Sequence, residues 1–245
     1  MSEGPASTVE NPDIRPGDKP GELRVFDHGF VRLDASMADD LSVVNGARVS
    51  FAVHRSEMGE RDKGLIRFLM RQRHGSPFEH NSFRFHIRTP IFVAREWFRH
   101  RISSFNEESA RYHQLEPEFY VPSVQAVRTQ VGKPGSYTFE PAEEAIAHET
   151  IAAMRRIYGQ LYAEYQDLID KGVAKELARA VLPFGIYTQF YWSLNARSLM
   201  NFLSLRNSID AQYEIRTYAQ AVERLFAEKM PVTHECFLEF GRMVP

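Results

Sequence analysis

The sequence has few of the features that announce a mechanism. One cysteine in 245 residues excludes an intramolecular disulfide framework and a cysteine zinc cage, and it suits a reducing cytoplasm. No Gly-x-Gly-x-x-Gly follows a strand, and neither a Gly-Lys-Ser/Thr loop nor a Gly-x-Ser-x-Gly elbow occurs, so Rossmann, P-loop and α/β-hydrolase sites have no support. No run is apolar for long enough to span a membrane. The N-terminus carries Glu3, Pro5, Glu10, Pro12 and Asp13 where a secretory leader needs a basic and then an apolar stretch. With a formal charge of −2 there is no overall field to attract polyanions, and general nucleic-acid binding is not expected. Internal repeats and low-complexity tracts are also missing.

What is present suffices for a core: 43% hydrophobic residues, including 18 Phe, in a chain whose length suits a single domain. Residues 1–20, rich in Pro, Gly and acids, read as a disordered tail, leaving residues 21–245 as the folded part. Two short strands are expected around Asp27-His28-Gly29. A helix capped by Asp39 or Asp40 should follow, then a second over about 61–73 with Leu65, Phe68 and Leu69 on its inner side. Residues 82–88 alternate, with Phe83, Phe85 and Ile87 on one face. Thr89 and Pro90 then suit the cap and first turn of a helix running to Arg101. Glu118 to Val121 reads as a strand, followed by a polar loop. The longest helix should open at Pro141 and end near Gly172, with Ile151, Met154, Tyr158, Leu161, Tyr165 and Leu168 as a seam against another helix. A similar seam recurs at Ala211, Ile215, Tyr218, Val222 and Leu225. Ile186 to Leu194 reads as a strand, and Asn195 as the cap of the next helix or as part of an amide face with Ser198 and Asn201. The fold class is therefore α+β, a partly antiparallel sheet packed with long helices.

The chemistry concentrates between Glu96 and His113, where Arg99, Arg101 and Arg111 offer planar forks of donors beside Ser103, Asn106 and Ser109. A Ser109–His113 nucleophilic pair lacks an oxyanion hole nearby. His80 and His86 lack a carboxylate at ligand spacing, so no metal site is expected. Cys236 sits between Glu235 and Glu239, which disfavour a thiolate, and reads as packing. Arg179, in an apolar run, needs a partner if buried. The arginines that remain, with Arg197 and Arg206, suit a flat phosphorylated ligand, held either for catalysis or in a non-enzymatic binding module.

Arg99-His100-Arg101, followed after seven residues by Ser109, resembles the signature of the flavin-dependent thymidylate synthases. The surrounding Trp97 to Tyr112 fits as well, and so do Ala47 to Phe51, Pro77 to His80, Pro90 to Arg95, Arg179 to Pro183 and Asn195 to Phe202. The resemblance implies a homotetramer holding FAD between subunits and converting dUMP to dTMP, with methylenetetrahydrofolate as carbon donor and NADPH as reductant. Hydride would come from the reduced flavin, without a cysteine nucleophile. By position it implies FAD contacts from Ser50, His74, Ser76, Arg99, His100, Arg101, Glu107, Asn195, Ala196, Arg197 and Asn201. For dUMP it implies Glu96, Trp97, Phe98 and Arg99 from one chain, Glu107, Glu108, Ser109, Ala110 and Arg111 from another, and Arg179 and Arg206. Arg206 matches the arginine that activates the uracil ring. Two departures stand out: Glu96 where glutamine is frequent, and Asp210 where some relatives carry histidine, four residues after Arg206 and so within reach of it along a helix.

Overall fold

A computed structural model of the chain describes residues 11–133 and 136–245. In chain order the strands and helices are β1 (Ile14–Pro16), β2 (Glu22–Val25), β3 (Gly29–Met37), α1 (Asp40–Arg48), α2 (Glu60–Arg71), α3 (Ser76–Glu79), β4 (Ser82–Pro90), α4 (Ile91–Trp97) and β5 (Ser104–Glu107). They continue with β6 (Arg128–Lys133), β7 (Ser136–Pro141), α5 (Glu144–Asp170), α6 (Lys175–Ala178), β8 (Tyr187–Asn195), α7 (Ala196–Arg206), α8 (Tyr213–Lys229) and α9 (Pro231–Glu239). The expected α+β class holds. A six-stranded sheet runs in the order β1-β2-β3-β4-β8-β5, with its first four strands antiparallel neighbours, and β6 and β7 form a separate hairpin. Two compact units can be distinguished: residues up to Arg88 with 95–106 and 189–245, and residues 89–94 with 107–188.

The first unit is built on the alternation of β4. Phe83, Phe85 and Ile87 are buried on one face, and Phe85 meets Trp192 of β8 at 5.7 Å. Trp192 in turn lies edge-on to Trp97, which stacks on Phe202 of α7 at 4.8 Å. This aromatic block carries the end of α4 and the middle of α7 together, and both contribute to the cleft described below. Burying such rings contributes roughly 2–3 kcal/mol each. Caps complete the helices. Asp39 accepts Ser42 N–H at 2.6 Å at the start of α1, and buried Asp40 accepts the N–H groups of Val232 and Thr233 at the start of α9. Buried Asp62 pairs with Arg48 at 2.6 Å and receives Gly59 N–H at 2.9 Å.

Several expectations are corrected. Residues 1–10 lie outside the described residues, but 11–20 are not a disordered tail: β1 pairs with β2, and Asn11 Nδ2 donates to Gln220 Oε1 at 2.8 Å. Thr89 and Pro90 end a strand rather than open a helix, and α4 stops at Trp97, so Arg99 to Arg101 lie beyond it. On α2 the buried face is Asp62, Ile66, Leu69 and Met70, while Phe68 is exposed. The polar stretch after Val121 contains the β6–β7 hairpin, and the long helix starts at Glu144 instead of Pro141. The α5 seam faces an extended segment, with Phe119 stacked on Tyr158 at 5.0 Å and Leu115 N–H donating to Tyr165 Oη. Among the described residues no helix is long and apolar enough to cross a membrane.

Candidate active site

One end of β8 dictates half of the site. Asn195 leaves the strand in extended geometry and caps α7, its Oδ1 accepting Ser198 N–H at 2.9 Å. The eleven residues of α7 then bury Leu199, Met200, Phe202 and Leu203. Arg197, Asn201 and Leu205 fall on the other side at helical neighbour spacing. The second half comes from the turn after α4. Trp97, fully buried, anchors it, His100 N–H donates to Trp97 O at 3.0 Å, and Ser103 Oγ–H donates to His100 O at 2.5 Å.

Between them lies a cleft of about 760 Å³, lined by Glu79, Arg99 to Ser103, Leu194, Asn195, Arg197, Ser198, Asn201, Leu205, Arg206 and Val244. That size is ordinary for a small-molecule site. Among the described residues no hydrogen bond or ion pair holds the guanidinium of Arg99 or Arg101, and both residues are exposed. Two uncommitted guanidinium groups beside the Asn195 and Asn201 amides suit an anionic, flat ligand.

Arg206, by contrast, is held on two sides. Its Nε–H donates to His100 Nε2 at 3.0 Å, Nη1–H to Glu96 Oε2 at 3.2 Å, and Nη2–H to the Glu96 carbonyl at 3.4 Å. Burial, and then the Arg206 charge, lower the His100 pKa to about 4, so at neutral pH the ring is uncharged and able to accept. For Glu96 burial raises the pKa against the pull of Arg206, with Glu214 adding to the rise. Asp210 lies past the end of α7, and Arg206 pairs with Glu96 instead.

The structure gathers Arg99, His100, Arg101, Asn195, Arg197, Asn201 and Arg206 at this cleft. Arg197 is already engaged, with Nε–H on Pro245 O at 2.7 Å and Nη1–H on Glu79 Oε1 at 2.6 Å. It lies against Gly75, where a Cβ would come within 2.5 Å of Arg197 Nε. Ser50, His74 and Ser76 are exposed in the same unit but do not line the cleft. The side chains of Trp97, Ala110 and Ala196 are buried and cannot reach a ligand, and Ala196 N–H is taken by Asn81 O. Phe98 packs on Phe105 and Phe190. Glu79, Ile102, Leu194, Leu205 and Val244 line the cleft without having been singled out as contacts: Glu79 lies in the matched segment Pro77 to His80 but was given no role, and the four apolar residues carry no polar group that would mark them.

The remaining candidates belong to the second unit. Thr188 Oγ1–H donates to Glu107 at 2.7 Å, while burial raises the Glu107 pKa. Arg111 meets Glu176 Oε2 at 3.4 Å, and Arg179 Nε–H donates to Glu176 O at 3.3 Å. Arg179 is exposed, not buried among apolar neighbours. Glu108 faces His113 at 3.5 Å, and the other His113 ring nitrogen meets Gln114 O. Neither His113 nitrogen is bonded to Ser109, whose Oγ accepts Arg111 N–H at 3.4 Å, and this removes the basis for a Ser–His pair. In the first unit, His86 is held by Arg32 at 2.7 Å and Gln189 at 3.0 Å.

A family model described as "Thymidylate synthase complementing protein" matches residues 32–232. The flavin-dependent thymidylate synthase of Thermosipho africanus is 46% identical over 220 residues, covering 90% of this chain and 95% of that protein. The one from Streptomyces coelicolor is 45% identical over 245 residues, covering 94% and 98%. Among solved structures, the UMP/dUMP methylase PolB from Streptomyces cacaoi bound with 5-Br dUMP superposes with a TM-score of 0.83 at 45% identity, covering 89% of this chain and 97% of that one. The same methylase bound with 5-Br UMP gives 0.82 at 46% identity.

Proposed function

This chain belongs to the flavin-dependent thymidylate synthases, and from that premise we propose that it methylates dUMP to dTMP at the cleft between α7 and the turn after α4. The observation that carries this reading is the pair of uncommitted guanidinium groups, Arg99 and Arg101, beside the Asn195 and Asn201 amides in a cleft of about 760 Å³. That donor set fits FAD, whose diphosphate needs cations and whose flat ring offers carbonyl and nitrogen edges to amides. Held by these residues, FAD would supply the hydride, with NADPH as the reductant and methylenetetrahydrofolate as the carbon donor.

The chain's own residues bind and polarise. Arg99 and Arg101 take phosphate charge, while Asn195 Nδ2, free of the capping bond that its Oδ1 accepts, and Asn201 orient the ring. Arg206 meets the uracil, where a permanently charged guanidinium stabilises negative charge as it develops on the ring nitrogen. Ser50, His74, Ser76, Glu107 and Arg197 are the further candidate flavin contacts. Glu96, Phe98, Glu108, Ser109, Arg111 and Arg179 are the further candidates for dUMP, with Trp97, Ala110 and Ala196 limited to backbone contributions. We assign the site to a cytoplasmic homotetramer in which subunits share it. Exposed Phe51, Ile102, Leu177, Phe184 and Ile209 supply apolar surface for association.

The test is a dTMP-formation assay with FAD, NADPH and methylenetetrahydrofolate, run with UMP beside dUMP because PolB was solved with an analogue of each. A yellow protein whose flavin absorbance responds to dUMP and which releases dTMP is expected. A colourless protein without turnover would remove the reading.

A further inference from the structure

We infer that neutral His100 is a positioning residue for Arg206: its Nε2 accepts the Arg206 Nε–H and sets the plane of the guanidinium at the cleft wall. The inference rests on the reading that Arg206 meets the substrate. A guanidinium can only donate, so the nitrogen facing it at 3.0 Å must present a lone pair, which assigns the ring proton to Nδ1. The imidazole is itself fixed. Its backbone is tied by His100 N–H to Trp97 O and by Ser103 Oγ–H to His100 O, and its ring stands edge-on to buried Phe202 at 5.0 Å and 71°. Phe202 and Arg206 are one helical turn apart on α7. The same helix face therefore backs the imidazole and carries the guanidinium it receives.

Glu96 completes the clamp from another edge through its carboxylate and its carbonyl. Three of the five N–H groups of Arg206 are thus engaged, and two remain for a ligand. A long, rotamer-rich side chain held this way meets the substrate without first losing freedom. His100 can still reach a cofactor only through its Nδ1–H or its ring face.

The experiment compares His100→Gln, which keeps an acceptor oxygen, with His100→Leu, which keeps bulk and has none, and with Arg206→Ala. Flavin absorbance, turnover at saturating dUMP and the half-saturating dUMP concentration are measured for each, and dUMP affinity of the flavin-free protein by calorimetry. His100→Leu should retain flavin and lose about tenfold or more in saturated turnover, the usual weight of a hydrogen bond to a charged group. His100→Gln should recover to within about threefold of the wild type. Equal impairment of the two His100 variants overturns the inference, and so does loss of flavin with turnover per bound flavin unchanged. An inactive Arg206→Ala beside an active His100→Leu overturns the positioning role alone. An active Arg206→Ala instead removes the reading of Arg206 beneath it.

Discussion

His100 links the site to stability, because replacing it should change how stability responds to acid. Its folded pKa is about 4, down from the ordinary 6.5, through burial first and then the neighbouring Arg206 charge. Between those values the unfolded chain binds a proton that the folded chain refuses, so stability falls as pH falls from 6.5 towards 4. At pH 5 the linkage relation gives about 2 kcal/mol if the whole difference is expressed, and solvent screening of a partly exposed ring reduces this to about 1 kcal/mol. His100→Gln removes the titration while keeping an acceptor for Arg206. Urea unfolding of both proteins at one concentration, at about pH 7.5 and pH 5, reads the effect. The Glu96 carboxylate is present in both proteins, and its contribution cancels in the difference. The wild type should lose about 1 kcal/mol more than the variant across that interval. Equal losses would refute the neutrality of folded His100, and a larger loss in the variant would reverse the sign of the argument.

Three further outcomes are expected. Arg206→Ala should depress dTMP formation at saturating dUMP about 100-fold, whereas Arg111→Ala, at an exposed anchor, should chiefly raise the dUMP concentration needed; initial-rate kinetics separate the two, and the opposite pattern would exchange their roles. Arg48→Met leaves Asp62 buried with only its backbone donor, and should cost about 3 kcal/mol in urea unfolding at neutral pH. Because the Asp62 pKa is lowered, by Gly59 N–H first, against burial and with help from Arg48, its contribution is present above the unfolded carboxylate pKa and is lost as pH falls through the folded one. Cys236→Ala should keep dTMP formation, since burial pushes the thiol up to about 11 and leaves no thiolate to act; complete loss of activity in a folded, flavin-loaded variant would contradict a cysteine-free route.

Local signals were legible where one residue type answers one backbone need. Asp39 and Asn195 cap the helices they precede, and alternation along 82–88 marks a strand with one buried face. The hairpin of β6 and β7 escaped although Tyr137 and Phe139 alternate with Ser136, Thr138 and Glu140: the two strands are short and almost wholly exposed, and their mostly polar residues read as a loop. Phe68 misled the reading of α2 because an exposed aromatic at helical spacing looks the same as a buried one in sequence. For Cys236 the direction of the pKa shift was readable from Glu235 and Glu239, but its main cause is burial, which no neighbour in sequence reveals.

Within the site the division follows the same physics. The sequence by itself determined the family, through a motif whose residues lie close along the chain, and marked Arg99, Arg101 and Arg206 as donor forks suited to a flat phosphorylated ligand. It also placed Asn195 at the start of a helix, which the structure ends at Arg206. Only the tertiary structure decided what each polar group does with its hydrogen bonds. Arg206 takes Glu96 and His100, more than a hundred positions away, in place of Asp210, because α7 ends at Arg206 and its Phe202 face packs on the turn after α4. Among the described residues no hydrogen bond or ion pair engages Arg99 or Arg101, whereas Arg197 is engaged, and Trp97 turns inward to the aromatic block. Donors and acceptors pair by distance in space, and that distance is set by which apolar faces bury one another, a choice made by the whole core.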